Sequence, residues 1–133
     1  DWVIKTVQKF IVGKKSAKLG IGLLVSLADI AVANNTVAIL ITGGISKKIS
    51  ENNEIDLRES AAFLDIFSCV FQGMIPYGAQ MLILLGFAAG KVSPTQLIPL
   101  LWYQLLLAIF TIIYIFVPQI SNKTLSFIDK NKK

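Results

Sequence analysis

Two carboxylic acids, Asp29 and Asp65, stand inside apolar stretches of this chain, each with neutral polar side chains close by. Asp29 precedes the run Asn34-Asn35-Thr36, and Asp65 is followed by Ser68, Gln72 and the sequence Pro76-Tyr77-Gly78. In a segment that enters a bilayer, a central Asp costs about 2.5–3.5 kcal/mol on insertion scales, so such residues mark a pathway or a site by default. The chemistry they offer is competition. A carboxyl shielded from water holds its proton more readily, whereas a bound cation favours the ionised form. Asp65 is the first candidate for that exchange and Asp29 the second. Asn34, Asn35, Thr36 and Ser68 carry amide and hydroxyl oxygens suited to a hard cation, and Gln72 and Gln80 are further lining candidates. The plainer readings are interhelical hydrogen bonding for the amides, a half-helix cap for Asp29 and packing for Cys69.

Other chemistry is poorly provided for. The chain has no His, no cluster with metal-ligand spacing and no nucleophile–base arrangement, so neither an enzyme nor a resident metal or cofactor is expected. Gly13-Lys14-Lys15-Ser16 lacks the earlier Gly that a phosphate loop needs, and the sequon at Asn34-Asn35-Thr36 has no meaning at membrane depth. Of 133 residues, 54% are hydrophobic and 16% charged. Mean hydropathy is +0.66. A soluble domain carries about 25% charged residues, so the composition points to a membrane protein. The net charge of +5 comes from lysines outside the apolar segments, which suits anionic lipid rather than nucleic acid.

The elements that must position these residues follow from hydropathy. Residues 1–18, with Trp2 and five lysines, read as a basic helix at the membrane interface. Residues 19–45 are apolar, but one helix of that length would rise about 40 Å against a hydrocarbon core of ~30 Å. With poor helix formers at its centre, this stretch is expected to be a broken span or a re-entrant hairpin with its tip near Asn34. Residues 46–59 form a hydrophilic loop, and Asp56-Leu57-Arg58-Glu59 fits a capping box that starts the next helix. Over residues 57–90, Asp65, Ser68, Gln72 and Pro76 fall on one helix face. Pro76 and Gly78 make that helix discontinuous. Gly86 and Gly90 form a GxxxG pattern. Residues 97–117 are long enough to span, with Trp102 and Tyr103 near an interface, and residues 118–133 are a basic tail.

Charge decides between the topologies. If all three segments cross, the sides hold six and seven Lys/Arg and predict no orientation. If residues 19–45 re-enter, one side collects twelve and the other only Lys91. The positive-inside rule favours the second, with both termini cytoplasmic. The chain starts at Asp1 with no positively charged start leading into a short apolar cleavage segment, so no signal peptide is expected, and three apolar segments shield intramembrane charges poorly. A piece of a longer chain is expected.

Ala33-Asn34-Asn35-Thr36-Val37-Ala38-Ile39, Ser60-Ala61-Ala62-Phe63-Leu64-Asp65-Ile66-Phe67-Ser68-Cys69 and Gln72-Gly73-Met74-Ile75-Pro76-Tyr77-Gly78-Ala79-Gln80 together resemble the NhaC-type Na+/H+ antiporters. The matching region covers roughly residues 16–90, and the family often shows Gly-Pro where this chain has Gly43-Gly44. The resemblance implies an all-α membrane protein, a C-terminal portion of a larger inverted-repeat transporter with broken or re-entrant helices. It implies a multi-pass protein of the cytoplasmic membrane whose partners are Na+, H+, the lipid bilayer and the remaining helices, with homodimerisation left open. Some relatives exchange organic acids such as malate and lactate with cations, which is the alternative function. A channel would need a continuous polar pore. A non-transporting structural subunit would need no paired helix breaks.

Overall fold

The structure, a computed structural model, describes residues 13–89 and 91–117. Residues 1–12 of the expected interfacial helix 1–18, Gly90 of the GxxxG pattern and the basic tail from residue 118 lie outside them. Residues 14–18 do not belong to a separate helix but start the helix that runs on to Val32, which begins after Gly13. Among the described residues the chain is all-helical: α1 (Lys14–Val32), α2 (Asn35–Asn52), α3 (Leu57–Met74), α4 (Ala79–Phe87), α5 (Pro94–Leu97), a 3-10 turn (Ile98–Leu100) and α6 (Trp102–Phe116).

α1 and α2 form an antiparallel hairpin covering the stretch 19–45. Gly13, at φ 145°, precedes α1 in a conformation that favours glycine. Ala33, at φ 50°, closes α1, and its N–H donates to the Asp29 carbonyl at 2.7 Å. Asn34 then caps α2, so the chain reverses within two residues. At the other end, Lys14 at the start of α1 pairs with Glu54 just after α2 at 3.0 Å. Gly43 and Gly44 do not end α2, which runs on to Asn52.

α3 packs parallel to α1 and antiparallel to α2, and α6 lies antiparallel along α3. Ile21, Val25, Ala38, Ile49, Phe63, Leu64 and Ile115 form the core between them. Gly22 permits the closest approach: a Cβ there would stand 2.7 Å from the Phe67 ring. Gly22→Ala is therefore expected to destabilise the fold by about 1–3 kcal/mol through overpacking. Phe67→Leu in the same chain should recover most of the loss. Thermal unfolding of the detergent-solubilised full-length protein measures both.

Three sequence expectations change in detail. Residues 46–59 are not a loop throughout: 46–52 continue α2, because Ser46, Ile49 and Ser50 are buried on its inner face, and only 53–56 connect it to α3. Asp56 caps α3, accepting from the Arg58 N–H at 2.8 Å, but Glu59 does not complete a capping box. Its carboxylate turns to Lys18 and Tyr114 instead. Residues 97–117 are not one straight helix. Pro99 and the 3-10 turn precede α6, and the two helical parts meet at a 58° bend. Pro removes a backbone donor and restricts the residue before it, which accounts for the interruption.

Among the described residues no single helix is long and apolar enough to cross a membrane. Two bent pairs qualify by length and composition: α3 with α4, bent 41°, and residues 94–100 with α6. Large apolar side chains cover the exterior, with Leu40, Phe87, Trp102 and Tyr103 each more than 65% exposed.

Candidate ion-binding site

The two helix interruptions meet. At the tip of the hairpin, the first N–H groups of α2 lack partners within their helix and are satisfied by side chains. Val37 N–H donates to Asn34 Oδ1 at 3.1 Å, and Thr36 N–H to Asn35 Oδ1 at 2.8 Å. Asn35 N–H donates across the interface to Gln72 Oε1 on α3 at 3.1 Å. One turn beyond Gln72, α3 ends at Ile75, and Gly78 N–H folds back to the Ile75 carbonyl at 3.0 Å. A Cβ at Gly78 would stand 3.2 Å from the Gln72 and Ile75 carbonyls, so the turn is built for glycine. From this turn Tyr77 donates its hydroxyl to the Ile30 carbonyl in the last turn of α1. Gln72 and Tyr77 thus tie the α3 break to the α1–α2 break.

Asp29 lies beside this junction and is fully buried. Neither carboxylate oxygen has a hydrogen-bond partner among the described residues. The Gln72 backbone on α3 faces it across the α1–α3 seam. An unpartnered buried carboxylate is costly unless a proton or a cation neutralises it. Asp65 is exposed on the outer face of α3. Its Oδ1 receives a long thiol contact from Cys69 at 3.9 Å, and Cys69 Sγ in turn lies 3.8 Å from Asn35 Nδ2. Polar contacts therefore lead from Asp65 past Cys69 to Asn35 and the Gln72 amide, while the Gln72 backbone faces Asp29.

The remaining candidates are less central. Asn34 Oδ1 is committed to its cap. The Thr36 side chain is exposed, with its hydroxyl 3.4 Å from Asn35 Oδ1. Ser68 is buried, and its hydroxyl donates to the Asp65 carbonyl at 3.0 Å rather than toward a site. Pro76 and Gly78 shape the break. Gln80 lies apart, on a 470 Å³ cavity shared with Cys69, Met81, Tyr103 and Gln104. Among the described residues no group of three or more acidic or thiol side chains could hold a metal. Sequence reasoning passed over Tyr77 as a tie, because a hydroxyl that reaches a carbonyl 47 residues away leaves no local pattern.

Comparison of the chain with protein families, with curated proteins and with solved structures gives no match in any of the three.

Proposed function

We propose that this chain is the ion-exchanging portion of a multi-pass secondary transporter in the cytoplasmic membrane, moving Na+ against H+. The observation that carries the reading is Asp29, a fully buried carboxyl without a hydrogen-bond partner where two interrupted helices meet. Interrupted helices near the bilayer midplane are where secondary transporters place ion sites, since breaks release backbone carbonyls and helix ends. The resemblance of residues 16–90 to the NhaC-type antiporters supports the same reading.

The exchange works by exclusion. A proton on Asp29 neutralises the buried carboxyl, and a Na+ does so in its place. Asp65, at the exposed end of the polar contacts, attracts the cation and passes it inward. The bundle, completed by the remaining helices of a larger inverted-repeat fold, rocks to expose the site on each side in turn.

The test is proton movement in everted vesicles containing the full-length protein, on addition of Na+. Saturable, strictly coupled proton movement is the expected result. A proton gradient unchanged by Na+, or uncoupled downhill conduction, rejects the antiport reading.

A further inference from the structure

Far from the junction, at the end of the bundle that carries the charged loop, three helices meet in a polar cluster the exchange chemistry does not use. Lys18 Nζ on α1 lies 3.0 Å from each carboxylate oxygen of Glu59 on α3. Tyr114 on α6 donates its hydroxyl to Glu59 Oε1 at 2.7 Å. The ammonium also stands 5.8 Å from the ring centroids of both Phe63 and Tyr114. The Lys18 and Glu59 side chains are only 11% and 7% exposed.

We infer that Lys18, Glu59 and Tyr114 form a gate that closes the loop-bearing end of the α1–α3 seam. The inference rests on the transport reading for its purpose but not for its geometry. Along the seam the order is Lys18 against Glu59, Gly22 against Phe67, then Asp29 beside Gln72. Asp29 is eleven residues beyond Lys18 on α1, about 16 Å along the axis. The ion pair and the Phe67 ring on Gly22 therefore stand between the site and the loop-bearing side, while Asn34, Thr36, Pro76 and Tyr77 at the other end are exposed.

Stability alone explains this cluster poorly. A buried ion pair is often matched or bettered by apolar side chains of similar volume, because desolvation offsets most of its attraction. What an ion pair offers that apolar packing does not is a second stable arrangement: parted, both charges are solvated by water. Each partner here comes from a different helix, so a relative shift of α1, α3 and α6 opens the cluster without unfolding any of them.

The test is access to a cysteine beneath the gate. Ser26 is 2% exposed, one turn beyond Gly22 toward Asp29, and Ser26→Cys changes little but the nucleophile. In full-length protein, an impermeant maleimide added from the loop-bearing side is expected to label position 26, read by peptide mass to separate it from Cys69. Adding Lys18→Met and Glu59→Leu should keep the protein folded yet slow labelling about tenfold or more, because apolar side chains do not part into water. Tyr114→Phe keeps the ring but removes one hydrogen bond to a carboxylate, and should speed labelling by about tenfold. No labelling in Ser26→Cys alone, or equal rates in all three proteins, overturns the gate. Failure of the wild type to move protons on Na+ addition would remove the transport reading while leaving the labelling result standing.

Discussion

Asp29→Asn is expected to insert and fold as the wild type does and to lose Na+-driven proton movement by at least about a hundredfold, the scale of a positioned proton-transferring group. The amide keeps the size of the carboxyl and carries no charge, so no ionised group is left buried where the carboxyl has no hydrogen-bond partner. Folding therefore has little to lose. Exchange loses everything, since an amide neither binds a proton in this range nor offers a negative charge to Na+. The loss should hold at every pH, because Asn has nothing to titrate. Asp65→Asn provides the contrast. Its carboxylate is exposed and meets a thiol at 3.9 Å, so the variant should still exchange, with a raised Na+ requirement. Proton flux in everted vesicles, normalised to protein present, measures both. Near-normal flux in Asp29→Asn with none in Asp65→Asn would transfer the exchange site to Asp65.

The second large effect is on stability. Lys18→Met alone leaves Glu59 buried with the Tyr114 hydroxyl but without its ammonium partner, and should destabilise by about 3–5 kcal/mol. Glu59→Leu alone removes the carboxylate that faces the buried ammonium at 3.0 Å and should cost a similar amount. Lys18→Met with Glu59→Leu should return close to the wild type, so the two single effects will be strongly non-additive. Unfolding titrations of the three detergent-solubilised full-length variants measure the coupling. Additive losses would show that the two side chains do not depend on one another.

Much of the architecture is legible in the sequence because its causes are local. Asn34-Asn35-Thr36 interrupts an apolar run with residues that cap helices better than they continue them, and the chain reverses there. Pro76 and Gly78 end α3 for steric reasons confined to one turn. Asp56 begins α3 through its own side chain. Local reading fails where a side chain has a distant partner. Glu59 fits a capping box by spacing, but Lys18, 41 residues earlier, takes it away. Asp29 and Asp65 look alike as isolated acids in apolar stretches. Which of them is buried depends on how the α1–α2 hairpin lies on α3, and Gly22 permits that contact by giving Phe67 room. Helix periodicity puts Asp65, Ser68 and Gln72 on one face of α3, but it does not say that this face turns from the exterior at Asp65 to the interior at Gln72. Sequence by itself therefore determines the helices, their breaks and the residue types able to bind a proton or a cation. Tertiary packing decides which carboxyl is withdrawn from water and which polar groups stand beside it, because burial belongs to the assembled surfaces and not to any one segment.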